Sequence, residues 1–206
     1  GFANPSFTML FPIFIAAGIL SQILTAAHLV DGLVYLVSLV NIPPAIIPCV
    51  TFVVCVIMST VTGSSAAALL ATMPMLFPMG VQMGCPAGLV LGAICSGSEF
   101  GNNLSPISDV TITSSIGQEV EIADTVRTRV WYSIAAGVPA LILFFVFGLV
   151  TTTGIDSASL NADNSNLLGL VFIIIPVLVA VLILRKANFL VALVVGDLLG
   201  IILLLV

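Results

Sequence analysis

From Gly32 to Ser98 the chain carries no Asp, Glu, Lys or Arg, an unbroken run of 67 positions. A domain that folds in water carries about 25% charged residues. Here 6% are charged and 60% hydrophobic, with a mean hydropathy of +1.33. Nine acidic and four basic residues among 206 cannot cover the surface of a soluble globule. Soluble enzymes, nucleic-acid binders and disordered tails are excluded, leaving a chain whose main solvent is the lipid bilayer. The apolar runs are continuous, whereas a membrane β-barrel needs alternation of apolar and polar residues. The expected class is all-α, a polytopic helical membrane protein. Without a basic tract, nothing calls for nucleic acid as a partner.

About 20 apolar residues cross the hydrocarbon as a helix. Candidate spans are 7–27, 44–61, 64–83, a broken span 86–115, then 132–150, 167–184 and 189–206. Residues 28–41 before the second span, which Asn41 and Pro43 separate from it, read as an interfacial helix. Arg127 and Arg129 precede one span; Arg185 and Lys186 follow the next. The positive-inside bias then makes loop 116–129 and the Arg185/Lys186 end cytoplasmic, and loop 151–166, with Asp156 and Asp163, external. The location expected is the plasma (inner) membrane, multi-pass. Gly1 opens the chain and Val206 ends it inside an apolar run, so a partial chain is expected. The sequence has no signal-peptide pattern.

Polar residues inside a membrane are costly, so their clustering is informative. One cluster is 59–65, with Thr62, Gly63, Ser64 and Ser65. The other runs from Ser96 through Glu99, Asn102, Asn103, Ser105 and Ser108 to Asp109, Thr111 and Ser115. Residues 86–95 make half a crossing; two glycines and two asparagines then predict an unwound or re-entrant stretch at 97–105. Ser105-Pro106 predicts a restarted helix, with Ser as N-cap, Pro at its first position and Asp109 in its first turn. This is the pattern of a discontinuous transporter helix. Such an acid among hydroxyls suits a hard cation, Na⁺, and a proton competing for the same group. The candidate cation- and proton-binding residues are Asp109 (the Na⁺ ligand), Ser105, Ser108, Thr111, Glu99, Asn102 and Asn103. Thr62 to Ser65 are expected to face them. Asp197, between Gly196 and Gly200, is a weaker candidate.

Gly80, Gly84, Gly88 and Gly92 recur every four residues, predicting a flat packing face. The cysteines, Cys49, Cys55, Cys85 and Cys95, read as small packing residues. His28 is the only histidine, so neither a Ser–His pair nor a His/Cys metal cluster can form near the serines, and an enzyme is not expected. No cofactor is expected beyond transported Na⁺. The oligomeric state is left open, a homo-oligomer included.

The stretch Ser96-Gly97-Ser98-Glu99-Phe100-Gly101-Asn102-Asn103-Leu104-Ser105-Pro106-Ile107-Ser108-Asp109-Val110-Thr111 resembles a signature of the NhaC-type Na⁺/H⁺ antiporters, S-G-A-x-F-G-D-x-x-S-P-I-S-D-T-T. Thr62-Gly63-Ser64-Ser65 matches part of their upstream T-G-T-S-W-G-T element, whose last three residues are Ala66, Ala67 and Ala68 here. Asn102 replaces the usual Asp, and Glu99 places a carboxylate about one turn away. The resemblance implies a secondary transporter exchanging Na⁺ for H⁺. Similar carriers of lactate, malate and amino acids make a Na⁺- or H⁺-coupled organic-substrate carrier the alternative. With no basic residue expected near the site, the sequence favours a cation over an anion.

Overall fold

The computed structural model describes residues 5–29, 31–32, 43–152, 167–185 and 188–205, with backbone alone at 5–11, 14, 109, 167–168, 184 and 189. Among these residues every regular element is helical. Helix α1 is Pro5–Ala26. A 3₁₀ turn at Pro44–Ile46 leads into α2, Ile47–Thr62. Pro44 and Pro48 stand at helix starts, where a missing N–H breaks no helical bond. Then come α3 (Ser65–Gln82), α4 (Ala87–Leu104), α5 (Asp109–Gly117) and α6 (Ile122–Thr151). A 3₁₀ stretch at Leu167–Ile173 opens into α7 (Ile174–Leu184), and α8 is Phe189–Leu205. Three helices, Pro44–Thr62, Ser65–Gln82 and Ile122–Thr151, are long and apolar enough to cross a membrane, and Ile15–Ala26, Gly169–Ile183 and Leu190–Leu205 are shorter apolar helices. Most of the interfacial helix expected at 28–41 and of the loop expected at 151–166, and Lys186, lie outside the described residues.

Glycine decides how closely the spans approach. A Cβ on Gly97 would lie 2.6 Å from the Phe52 carbonyl oxygen and 2.9 Å from the Cys55 Cβ. One on Gly101 would land on the Val56 carbonyl oxygen, 2.8 Å from the Ser59 Cβ. Both contacts advance together, so α2 and α4 run parallel and nearly backbone to backbone. Two hydroxyls of α2 fasten the pair: Ser59 Oγ donates to the Ser98 carbonyl at 2.5 Å, and Thr60 Oγ1 to the Gly101 carbonyl at 3.2 Å. Helix α6 runs the opposite way, with Gly137 against Phe100 and Gly148 against the Ala45 carbonyl. Its other face exposes Trp131, Ile134, Val138, Ile142 and Phe145, as a lipid-facing surface would. A second packed group joins α1, α7 and α8 through Leu20, Ile23, Leu24, Ile175, Val179 and Leu193.

The interruption in the broken span is present but displaced. Residues 97–104 are helical, not unwound, and α4 ends at Leu104, with Ser105 as its C-cap. The glycines read as breakers are contact residues instead, and in a bilayer a helix keeps its backbone bonded internally wherever it can. Helix α4 has 18 residues, which at 1.5 Å per residue is about 27 Å. The chain therefore breaks after these 18 helical residues, not half-way along them. The new helix starts at Asp109 with Ser108, not Ser105, as N-cap. The four spaced glycines do not share a helix: Gly80 lies in α3 against Val90, Gly84 makes the turn at φ 82°, and Gly88 and Gly92 belong to α4. Loop 116–129 is largely the opening of α6, which begins at Ile122 because nothing up to Trp131 breaks a helix and Asp124 suits its first turn. Three thiols tie segments together: Cys49 of α2 to the Leu141 carbonyl of α6, Cys55 of α2 to Thr72 Oγ1 of α3, and Cys85 of the α3–α4 turn to the Pro44 carbonyl.

Candidate functional site at a helix interruption

Four buried side-chain oxygens are spread along the last two turns of α4 and the turn into α5. Ser98, Ser105 and Ser108 are fully buried. Their hydroxyls, like the Asn102 side-chain oxygen, have no hydrogen-bond partner beyond the Cys55 thiol beside Ser98. Ser98 and Asn102 are four apart on one face of α4, Ser105 caps its end, and Ser108 begins α5. An N-cap serine normally accepts a bond from the first turn of its helix. Ser108 makes no such bond, so its oxygen stays available. Leaving a buried polar atom unsatisfied costs about 1–3 kcal/mol, and four fall in this one short stretch. Asp109 follows at the first position of α5; its side chain lies outside the described part of the structure.

The second polar cluster reaches this place through its backbone. Gly63 ends α2 in the left-handed conformation, φ 69°. A Cβ there would come within 2.8 Å of the Ile107 Cγ1 and 3.0 Å of the Ile107 carbonyl oxygen. The α2–α3 corner thus abuts the turn between α4 and α5. Its hydroxyls are spent locally. Ser64 Oγ caps α3 by accepting from Ala67 N at 3.3 Å, and Thr62 Oγ1 donates to the Ser64 carbonyl at 3.3 Å. Ser65 is the first residue of α3 and half-buried.

Three other candidates stand apart from the four oxygens. Thr111 is buried but faces α6, where its Oγ1 accepts from Arg129 at 3.2 Å; the same guanidinium donates to Ser114 Oγ at 2.8 Å. Glu99 is exposed on α4. Asn103 lines an open cleft of about 360 Å³ with Phe100, Arg129, Tyr132, Ser133 and Ala136. The expectation that nothing basic lies near the site is therefore corrected: Arg129 is bonded to the helix that follows the interruption. Its place in an apparently solvated charge run hid it, and the only signal was that it begins the long apolar stretch of α6. Ser98 was hidden too, because the glycines around it were read as unwound. Among the described residues the only ion pair is His28–Asp31, at 2.8 Å.

Parallel and antiparallel apolar helices, with every regular element among the described residues helical, define a helical membrane protein. The chain belongs to the Na⁺/H⁺ antiporter family, whose model matches residues 1–149. It is 34% identical over 194 residues to the malate-2H(+)/Na(+)-lactate antiporter of Bacillus subtilis, covering 91% of this chain and 41% of that protein. It is 30% identical over 200 residues to the Na(+)/H(+) antiporter NhaC of Alkalihalophilus pseudofirmus, covering 93% of this chain and 42% of that one. With the arginine/ornithine antiporter ArcD of Halobacterium salinarum it shares 37% identity over 123 residues, 60% of this chain and 24% of that protein. The chain thus spans about two fifths of the length of the first two relatives. No solved structure matches it.

Proposed function

We propose that this chain forms the cation-handling part of a secondary transporter that exchanges Na⁺ for H⁺ across the plasma membrane, with the Arg127/Arg129 and Arg185 ends cytoplasmic. The observation that carries the reading is the set of buried oxygens of Ser98, Asn102, Ser105 and Ser108, the last three without a partner, in the segment that leads into Asp109. Na⁺ prefers oxygen donors, and Asp109 supplies the charge. The carboxylate binds either a proton or the metal ion, so each expels the other and one gradient drives the opposite flow. Membership in the Na⁺/H⁺ antiporter family supports the same assignment.

The test separates binding from folding. Ser105→Ala combined with Ser108→Ala in the full-length protein removes two hydroxyls that bond no protein group. The half-saturating Na⁺ concentration for proton movement in proteoliposomes is expected to rise about tenfold, as two ligands worth about 0.5–1.5 kcal/mol each are lost. Thermal stability in detergent is expected to hold or rise, because two unsatisfied groups have gone. Unchanged Na⁺ dependence would remove these serines from the site.

One observation favours a second reading, coupled carriage of a small organic carboxylate. Arg129 gives N–H groups to Thr111 and Ser114, and its guanidinium has five such donors. It lines the cleft with Asn103, Tyr132 and Ser133, and a planar guanidinium pairs with carboxylates in a two-pronged geometry. The name of the malate and lactate relative fits this chemistry. On this reading, Arg129→Gln weakens lactate or malate uptake about 10- to 100-fold, the worth of a charge-assisted bond of about 1.5–3 kcal/mol. Exchange of Na⁺ for H⁺ is retained. Uptake at the parental level in Arg129→Gln would leave Na⁺/H⁺ exchange as the sole reading.

A further inference from the structure

Asp197 lies in the middle of α8, far along the chain from the helix interruption, and plays no part in the site above. It is only 7% exposed, and its Oδ1 is shut off from solvent without a hydrogen-bond partner. The glycines beside it bring the neighbouring helices close. A Cβ on Gly196 would fall 2.6 Å from Val179 Cγ2 of α7, and one on Gly200 would fall 2.6 Å from Ile23 Cγ2 of α1. The helix faces that meet beside Gly196 and Gly200 carry Leu20, Ile23, Ile175, Val179 and Leu193, all in one apolar core.

The two helices packed on α8 offer no charge to balance it. Neither α1 (Pro5–Ala26) nor α7 (Ile174–Leu184) contains an ionisable side chain, and α8 has no other. Beyond these helices along the chain come the His28–Asp31 pair after α1, and Arg185 and Lys186 between α7 and α8. An ionised carboxylate buried without a partner costs far more than a neutral acid. A metal cation needs several ligands, and among the described residues no group of three or more His, Cys, Asp or Glu that could hold one is found.

We propose that Asp197 is a second proton-binding site, separate from the Asp109 site, that holds a proton while α8 is packed on α1 and α7 and yields it to water when these helices part. Proton release leaves the carboxylate charged, so the charged form favours the parted arrangement and the neutral form the packed one. Loading of this site is thereby tied to helix movement without any metal ion at the carboxyl.

Infrared difference spectroscopy of the full-length protein at neutral pH tests the proton directly, by comparing the protonated-carboxyl absorption of the parent with that of Asp197→Asn. The asparagine has the shape of the neutral acid. It is expected to fold, and to lose one protonated-carboxyl band that persists in Asp109→Asn, whereas that second variant loses the exchange itself. In proteoliposomes, Asp197→Asn is expected to lower the protons moved per Na⁺ by about one while leaving the half-saturating Na⁺ concentration within about twofold, as for uncoupled sites. An unchanged carboxyl spectrum, or failure of the neutral isostere to fold, would overturn the buried proton. A lost band with an unchanged proton count would overturn its release.

Discussion

Asp109→Asn in the full-length protein is expected to reduce Na⁺-driven proton movement in proteoliposomes to the level of empty vesicles. The substitution keeps size and one oxygen but removes both the negative charge and the group that takes up the proton. A unit charge about 4 Å from the ion is worth about 4 kcal/mol at an effective dielectric constant near 20, about a thousandfold in affinity. In the parent, competition also requires the half-saturating Na⁺ concentration to rise as pH falls, by reciprocity of binding. A plain structural role makes a different forecast. An acid at the first position of α5 that served only the helix dipole would contribute about 0.3–1 kcal/mol. Losing it would lower the melting temperature by a few degrees at most and leave exchange intact. Transport at the parental rate in Asp109→Asn, whatever its melting temperature, would exclude the shared-carboxylate mechanism.

How much of this was readable beforehand depended on whether one residue or two had to be known. The bilayer acts on every residue alone, so the uncharged run from Gly32 to Ser98 was enough to fix a helical membrane protein. Ser105, Ser108 and Asn102 were legible because hydroxyls and amides are out of place in hydrocarbon whatever their neighbours. The position of the interruption was not. Gly97 and Gly101 weaken a helix taken by itself, and only the backbone of α2 lying against them shows that they are there for contact. The same holds for Arg129. Its partners Thr111 and Ser114 lie 18 and 15 positions upstream, beyond any local pattern, while its neighbours Glu121, Asp124 and Arg127 make it look like part of a solvated surface. The caps shifted for a local reason: Ser105 and Ser108 are equally good N-cap residues, and Ser105 was already committed to ending α4.

The contact between α2 and α4 carries the site, since Ser98 and Asn102 ride on α4 while Gly63 of α2 fixes the turn beyond it. Gly101→Val is therefore expected to be strongly destructive. Its first carbon would land on the Val56 carbonyl oxygen and crowd the backbone nitrogen of Thr60 at 3.0 Å. Backbone atoms of a packed helix cannot swing aside as a flexible side chain does, so the helices must separate. That also breaks the bonds from Ser59 and Thr60 to the carbonyls of Ser98 and Gly101. Overpacking of this kind costs about 1–3 kcal/mol or more, and two lost bonds add about 1–3 kcal/mol. A melting temperature lower by about 5–15 °C, at about 2–4 °C per kcal/mol, is the expected reading in detergent, with a matching fall in yield. Gly88→Ala supplies the control on the same helix. A Cβ there meets nothing within 4 Å, and replacing a helical glycine with alanine gains about 0.5–1 kcal/mol. Equal melting temperatures for the two variants would mean that α2 and α4 do not meet at Gly101, and the four oxygens would lose the frame that positions them.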